Sequence, residues 1–220
     1  MDWKALVLSL KLAGCATAIL IGLGLPIAYW LATTRRKWKC VPEALFSLPM
    51  VLPPTVLGFY LLVATGPNSP MGALFYEATG RSIPFTFAGL VVALVLCNLP
   101  FAIRPFTAAF AAVDPRLVEM SWCLGASRAR TFVRVILPLA WPGLLTGVVL
   151  AFVHSVGEFG VVLMVGGGIP DVTRTISVSI YDDIQALNYA AAHRAALALT
   201  GLSVGVLSCI YAVQRRVLPL

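Results

Sequence analysis

Charge is what this chain has least of. Only 11% of its 220 residues are Asp, Glu, Lys or Arg, against roughly 25% in a soluble domain, which excludes an ordinary water-soluble globule. The sequence has no G-x-x-x-x-G-K-[ST] phosphate loop: Gly22-Leu23-Gly24 and Gly166-Gly167-Gly168 lack the lysine that a nucleotide site needs. The chain therefore does not hydrolyse nucleotide by itself. Its five cysteines, Cys15, Cys40, Cys97, Cys123 and Cys209, form no C-x-x-C pair and read as small apolar fillers, not a disulfide framework or a metal site. Little polar chain lies outside the apolar runs, so there is no room for a soluble catalytic domain.

What is abundant is hydrocarbon. The chain is 60% hydrophobic with a mean hydropathy of +0.92, and a bilayer-spanning helix needs about 20 apolar residues. Five stretches meet that length, at 5–33, 43–65, 86–110, 137–165 and 192–213, which predicts an all-α multi-pass membrane protein of one domain, 1–220. The first reads as a retained anchor, because it exceeds the 7 to 15 residues or so of a signal-peptide core and is closed by a basic cluster.

The basic residues set the expected orientation. Arg35, Arg36, Lys37, Lys39, then Arg104, Arg116, Arg128, Arg130 and Arg134, then Arg215 and Arg216 make 11 of the 16 Lys and Arg. Five spans place all 11 on one side, which the positive-inside rule makes cytoplasmic, with the N-terminus outside and the C-terminus inside. Lys4, Lys11, Arg81, Arg174 and Arg194 fall elsewhere. The net charge of +7 then reports topology and attraction to anionic lipid, with no nucleic acid required.

Between Asp114 and Pro138 the oily chain breaks into DPRLVEMSWCLGASRARTFVRVILP. Asp114-Pro115 is a helix start, a capping carboxylate followed by a proline with no hydrogen bond to lose. Gly125 supplies a turn, Ser127 can cap a second short helix, and Leu137-Pro138 marks where that helix gives way to the next apolar run. From periodicity alone, a joint gripped by a partner and an amphipathic hairpin on the inner leaflet fit equally well.

Two further stretches are unusual. SLPMVLPPTVLGFYLL, 47–62, holds Pro49, Pro53 and Pro54 within six positions, so the second span is expected to kink, either as plain structure or to line a wet pathway with Thr55 and Gly58 just beyond. Glu158 lies near the end of the fourth span, where an acidic residue costs up to about 3 kcal/mol and normally has a partner. His154 is four residues earlier on the same face, and Arg174 could fold back from outside. A neutralised pair at an interface or gate and a direct substrate contact both fit. A segment at 172–193 is too polar to span, and Ile176, Ile180, Asp183 or Ile184, and Leu187 suggest a short amphipathic helix on the outer face that leaves Asp171, Asp182 and Asp183 exposed.

Glu119, Gly125 six positions on, and Ile136-Leu137-Pro138 resemble the cytoplasmic EAA loop of ABC-importer permeases, with Met120 and Ser121 in place of the two alanines. The proline-rich second span, G-E-F-G at 157–160 and T-R-T-I at 173–176 further resemble the molybdate/tungstate permeases, with sulfate permeases as close relatives; the likeness runs from Trp3 to Tyr211. The resemblance implies a type I ABC-importer permease in a bacterial or archaeal inner membrane, with loop 114–136 as its coupling helix. It makes Glu119, Gly125, Ala126, Ser127, Arg128, Leu137 and Pro138 the ATPase-coupling residues, and Pro53, Pro54, Thr55, Gly58, Ser155, Gly157, Glu158 and Gly160 candidates for the pathway or gate. No cofactor is expected in this chain; ATP and Mg are bound by a partner ATPase. The implied assembly is a permease homodimer with two cytoplasmic ATPase subunits and an extracytoplasmic substrate-binding protein. A sulfate or thiosulfate permease, a secondary anion transporter using His154 and Glu158 as a proton relay, and a non-transporting scaffold are the alternatives.

Overall fold

The computed structural model describes residues 2–217, the side chains of 210, 211 and 213–217 excepted. Among the described residues every regular element is helical. Helix α1 (Trp3–Thr33) opens on Asp2, whose carboxylate accepts from the Ala5 N–H at 3.0 Å. At 31 residues it is about 46 Å long and exceeds the hydrocarbon thickness of about 30 Å. A 3₁₀ turn (Lys37–Lys39) leads to α2 (Cys40–Val51), α3 (Pro54–Thr65) and the short α4 (Pro70–Thr79), then to α5 (Phe87–Ala111). The elements that follow are α6 (Pro115–Cys123), α7 (Arg128–Thr131), a π turn (Phe132–Ile136), α8 (Leu137–Gly157), α9 (Gly160–Gly166), α10 (Ile176–Gln185) and α11 (Tyr189–Val217).

The core is a three-helix seam. Leu12, Ala16, Leu20 and Ala28 of α1, Leu90, Leu94, Ala102 and Phe106 of α5, and Ala140, Leu144 and Ala151 of α8 are buried at helical spacing against one another. Small residues let the backbones approach, as membrane helices require when water supplies no driving force between them. A Cβ at Gly143 would lie 2.6 Å from the Ala109 Cβ, and one at Gly147 would lie 2.7 Å from the Phe106 ring.

Among the described residues four helical stretches are long and apolar enough to cross a membrane: Trp3–Thr33, Phe87–Ala111, Arg128–Gly157 and Tyr189–Cys209. A fifth exists only if α2 and α3 are taken together, and they meet at 111°. The second span is thus not one kinked helix. Each half has 12 residues, about 18 Å, too short to cross alone. The consecutive prolines cause the break: Leu52 and Pro53 are extended, and neither Pro53 nor Pro54 has an N–H to continue the ladder. Pro49, by contrast, is absorbed within α2.

The fourth span also differs from its expected limits. It starts earlier, because α7, the π turn and α8 form one continuous stretch from Arg128 to Gly157, so Leu137-Pro138 is not a boundary. The Leu137 N–H bonds the Phe132 carbonyl five residues back, a wide turn that absorbs the donor missing at Pro138. It also ends earlier, at an extended Glu158 followed by the separate helix α9.

Arg104 lies inside α5, not in the polar loop. The side chains of Arg215 and Arg216 lie outside the described residues. Helix α10 is more embedded than a surface helix. Ile176 and Val178 are fully buried, and the Ile176 N–H donates to the buried Ser9 hydroxyl of α1 at 2.9 Å. Of the four periodic residues expected to form its apolar face only Ile176 is buried; Ile184 and Leu187 are exposed.

Candidate functional site

The polar loop is a helix, an elbow and a helix. Asp114 caps α6 by accepting from the Arg116 N–H at 2.9 Å, and Ser127 caps α7 by accepting from the Arg130 N–H at 3.3 Å. Between them Gly125 takes φ +78°, a left-handed conformation that side chains with a Cβ disfavour. The turn is closed by Gly125 N–H to the Trp122 carbonyl at 2.9 Å and Ala126 N–H to the Ser121 carbonyl at 3.1 Å. Open space surrounds Gly125. Backbone conformation, not crowding, selects glycine there.

A second tie across the elbow was not anticipated. Ser121, one of the two residues replacing the family alanines, places its hydroxyl 2.9 Å from that of Thr131, which is buried. The arms are thus stitched to each other, and the second arm is continuous with α8. At the base of this unit, Phe132 of the π turn stacks edge-on against Tyr29 of α1 at 5.0 Å, and Tyr29 stacks against Phe110 of α5 at 5.5 Å. Three spans therefore meet directly under the elbow. Aromatic residues in apolar spans give no signal of such a meeting until the helices are docked.

The outward side of the elbow is mixed apolar and basic. Leu117, Met120, Trp122 and Leu124 are exposed, Leu124 at 87%, alongside exposed Arg116, Arg128, Arg130 and Arg134. Glu119 is exposed and, among the described residues, makes no hydrogen bond or ion pair, so it does not close back onto the elbow. Pro138 is exposed and Leu137 half-buried at the start of α8.

The other candidates converge on the break between α8 and α9. Helix α3 packs against α9 through two glycines: a Cβ at Gly58 would lie 2.7 Å from the Met164 Cβ, and one at Gly160 would lie 2.8 Å from the Pro54 Cβ. Pro54, Thr55, Gly58 and Gly160 are thus brought together beside Glu158, with Pro53 heading the helix. Gly58 is buried by packing, whereas Thr55 is exposed. Ser155 is buried and its hydroxyl donates to the Ala151 carbonyl at 2.7 Å; the Gly157 carbonyl accepts from Ser177 at 3.1 Å.

Glu158 is 7% exposed. Its Oε1 accepts from the Val161 N–H at 3.3 Å and its Oε2 is 3.7 Å from His154 Nδ1. The shorter contact of His154 is with Asn98, whose Oδ1 is 2.9 Å from Nδ1. Asn98 is fully buried and donates its amide to the Leu94 carbonyl at 2.8 Å. The Phe101 ring stacks on the imidazole at 3.9 Å. Asn98 was overlooked, although a lone amide in an apolar span was the available signal.

Arg174 does not reach Glu158. It pairs with Asp182 at 3.0 Å and approaches Asp2 at 4.0 Å, while Asp171 pairs with Lys4 at 3.1 Å. Of Asp171, Asp182 and Asp183, the first two are thereby engaged. Among the described residues all five cysteines are free and no His, Cys, Asp and Glu group could hold a metal.

Residues 24–219 match the family described as binding-protein-dependent transport system inner membrane component. The chain is 48% identical over 214 residues to the molybdenum transport system permease protein ModB of Azotobacter vinelandii, covering 97% of this chain and 95% of that protein. It is 36% identical over 184 residues to its counterpart in Escherichia coli K12, covering 84% and 80%. Among solved structures, the MetNI methionine ABC transporter in inward-facing form superposes with a TM-score of 0.75 at 20% identity, over 98% of this chain and 95% of that one. A bacterial alginate ABC transporter in complex with its pentasaccharide-bound periplasmic protein gives 0.78 at 17% identity, over 97% and 78%. The fold is that of ABC-importer permeases. With its polytopic helices, elbow and near full-length match, the chain belongs to the binding-protein-dependent inner-membrane transport components, which are membrane subunits and not enzymes.

Proposed function

We propose that the chain is the membrane subunit of an ATP-driven importer of a tetrahedral oxyanion, molybdate or tungstate. The observation that supports the cargo is the near full-length similarity to permeases named for molybdenum transport. Coupling is read from the elbow. Its exposed leucine, methionine and tryptophan, ringed by arginines, suit burial against a soluble partner, and burying one such side chain is worth about 1.5–3 kcal/mol. Glu119, free of internal partners, anchors the elbow to a basic or N–H donor of that partner, and Gly125, Ala126, Ser127 and Arg128 hold its shape.

The assembly is a homodimer with the N-terminus outside and the C-terminus in the cytoplasm. Two copies supply two elbows, one for each of two ATPase subunits that bind ATP and Mg, and an extracytoplasmic binding protein delivers the anion. ATP-driven closure of the ATPase pair pushes the elbows, and the movement passes through the π turn and the Tyr29, Phe110 and Phe132 cluster into three spans as a rigid-body displacement. The Glu158 junction is a neutralised structural knot between α8, α9 and α5, and α3 meets it as a gate element.

Reconstitution with the ATPase and the binding protein tests this directly. Uptake of radiolabelled molybdate should need ATP inside the vesicle and the binding protein outside. Uptake driven by a proton gradient without ATP would overturn it.

A further inference from the structure

A cavity of about 400 Å³ lies between α1, α2 and α5, and its polar wall is made by Glu43, Ser47, Arg104 and Thr107. Arg104 sits seven residues before the end of α5, about 10 Å into the span, where a charged side chain is costly unless it faces protein, ligand or water. It is held in a definite pose. The Ser47 hydroxyl donates to the Glu43 carbonyl at 2.7 Å and accepts from Arg104 Nε at 3.1 Å. Nε is consumed in orienting the guanidinium, which leaves the terminal amino groups for the cavity. One turn on, the buried Thr107 hydroxyl oxygen has no hydrogen-bond partner. The carboxylate of Glu43, which would repel an anion, is met by Lys39 at 3.6 Å. Pro100, Ile103 and Phe46 complete an apolar wall, which strengthens charge-assisted hydrogen bonds inside.

We infer that Arg104 and Thr107 form a tetrahedral-oxyanion site in the inner half of the spans, occupied by the transported anion, with Ser47 as the residue that positions the guanidinium. This rests on the oxyanion-importer reading above. A guanidinium offers a planar fork of donors that matches an oxyanion edge, and the threonine hydroxyl adds a donor from the side. A phospholipid phosphate has the same tetrahedral chemistry, so the test must separate the two sources.

The test is equilibrium binding of radiolabelled molybdate to the intact permease and ATPase complex, without binding protein, in nanodiscs of phosphatidylcholine alone and with rising phosphatidylglycerol. Saturable binding in pure phosphatidylcholine is expected, weakened at least tenfold by Arg104→Gln and several-fold by Thr107→Val, with Arg104→Lys intermediate. Co-purification of the ATPase checks assembly of each variant. Equal binding by wild type and Arg104→Gln would overturn the site. So would binding of phosphatidylglycerol at Arg104 with no molybdate bound. Uptake by the complete transporter separates this from the parent reading: a wild type that imports no molybdate sinks the importer, whereas a wild type and Arg104→Gln that import it equally sink only the site.

Discussion

At Gly125 the backbone turns in the open, and at Glu158 it turns inside the protein. The first bend is made by φ alone, with open space around the glycine and a single side-chain stitch from Ser121 to Thr131. The second is made with an extended residue and held by side chains: Glu158 caps Val161, His154 approaches its carboxylate, and Asn98 holds the His154 ring. Water or a partner can satisfy the outer bend, so it needs few internal bonds. Nothing but protein can satisfy the inner one, so it recruits polar groups from three helices. One bend is left open at the surface and the other is closed by protein.

The largest effect should come from breaking the open bend. Gly125→Val puts a β-branched residue in the left-handed region, at a cost of roughly 1–2 kcal/mol, paid by distorting the elbow. Molybdate uptake and binding-protein-stimulated ATP hydrolysis should fall at least tenfold with near-normal membrane levels; unchanged transport would remove the elbow from coupling. Gly160→Val attacks the closed bend sterically, since its Cβ would lie 2.8 Å from that of Pro54. Overpacking of this kind costs about 1–3 kcal/mol, and it should show as a lower melting temperature in detergent, not as uncoupled ATP hydrolysis.

Asn98→Leu removes the 2.9 Å partner of the half-buried His154 ring and the amide bond to the Leu94 carbonyl, a loss of about 0.5–1.5 kcal/mol for each bond that thermal unfolding should register. Glu158→Gln is milder, because the amide oxygen still accepts from Val161; assembly and most uptake should survive. Abolished uptake at normal membrane level and normal ATPase docking would make the carboxylate functional. Ser121→Ala should have the smallest effect, about 0.5–1.5 kcal/mol, read as slightly faster proteolysis of the loop.

The open bend was the legible one. Asp114, Gly125 and Ser127 act locally, so capping and φ preferences in the sequence were enough to predict two caps and a turn, and the structure has them. The apolar runs at 5–33 and 86–110 coincide with the helices α1 and α5. What was not legible depends on docking. Pro53-Pro54 announced a break but not its 111° angle, which is set by how α3 seats on α9 through Gly58 and Gly160. Pro138 looked like a stop, yet a π turn carries the helix through it. Arg174 was expected to fold back toward Glu158 and instead pairs with Asp182 and approaches Asp2, a choice set by how the loop after α9 docks. Asn98 had no local signature beyond being polar in an apolar helix.

The central claim is that the open bend is where a soluble ATPase grips this membrane protein. A photo-crosslinking amino acid in place of Leu124, the most exposed large apolar side chain of the elbow at 87%, tests it in the intact transporter. The account predicts cross-links to the ATPase subunit whose yield changes when ATP is bound. Cross-links to lipid alone, from a complex in which the ATPase still co-purifies, would contradict it.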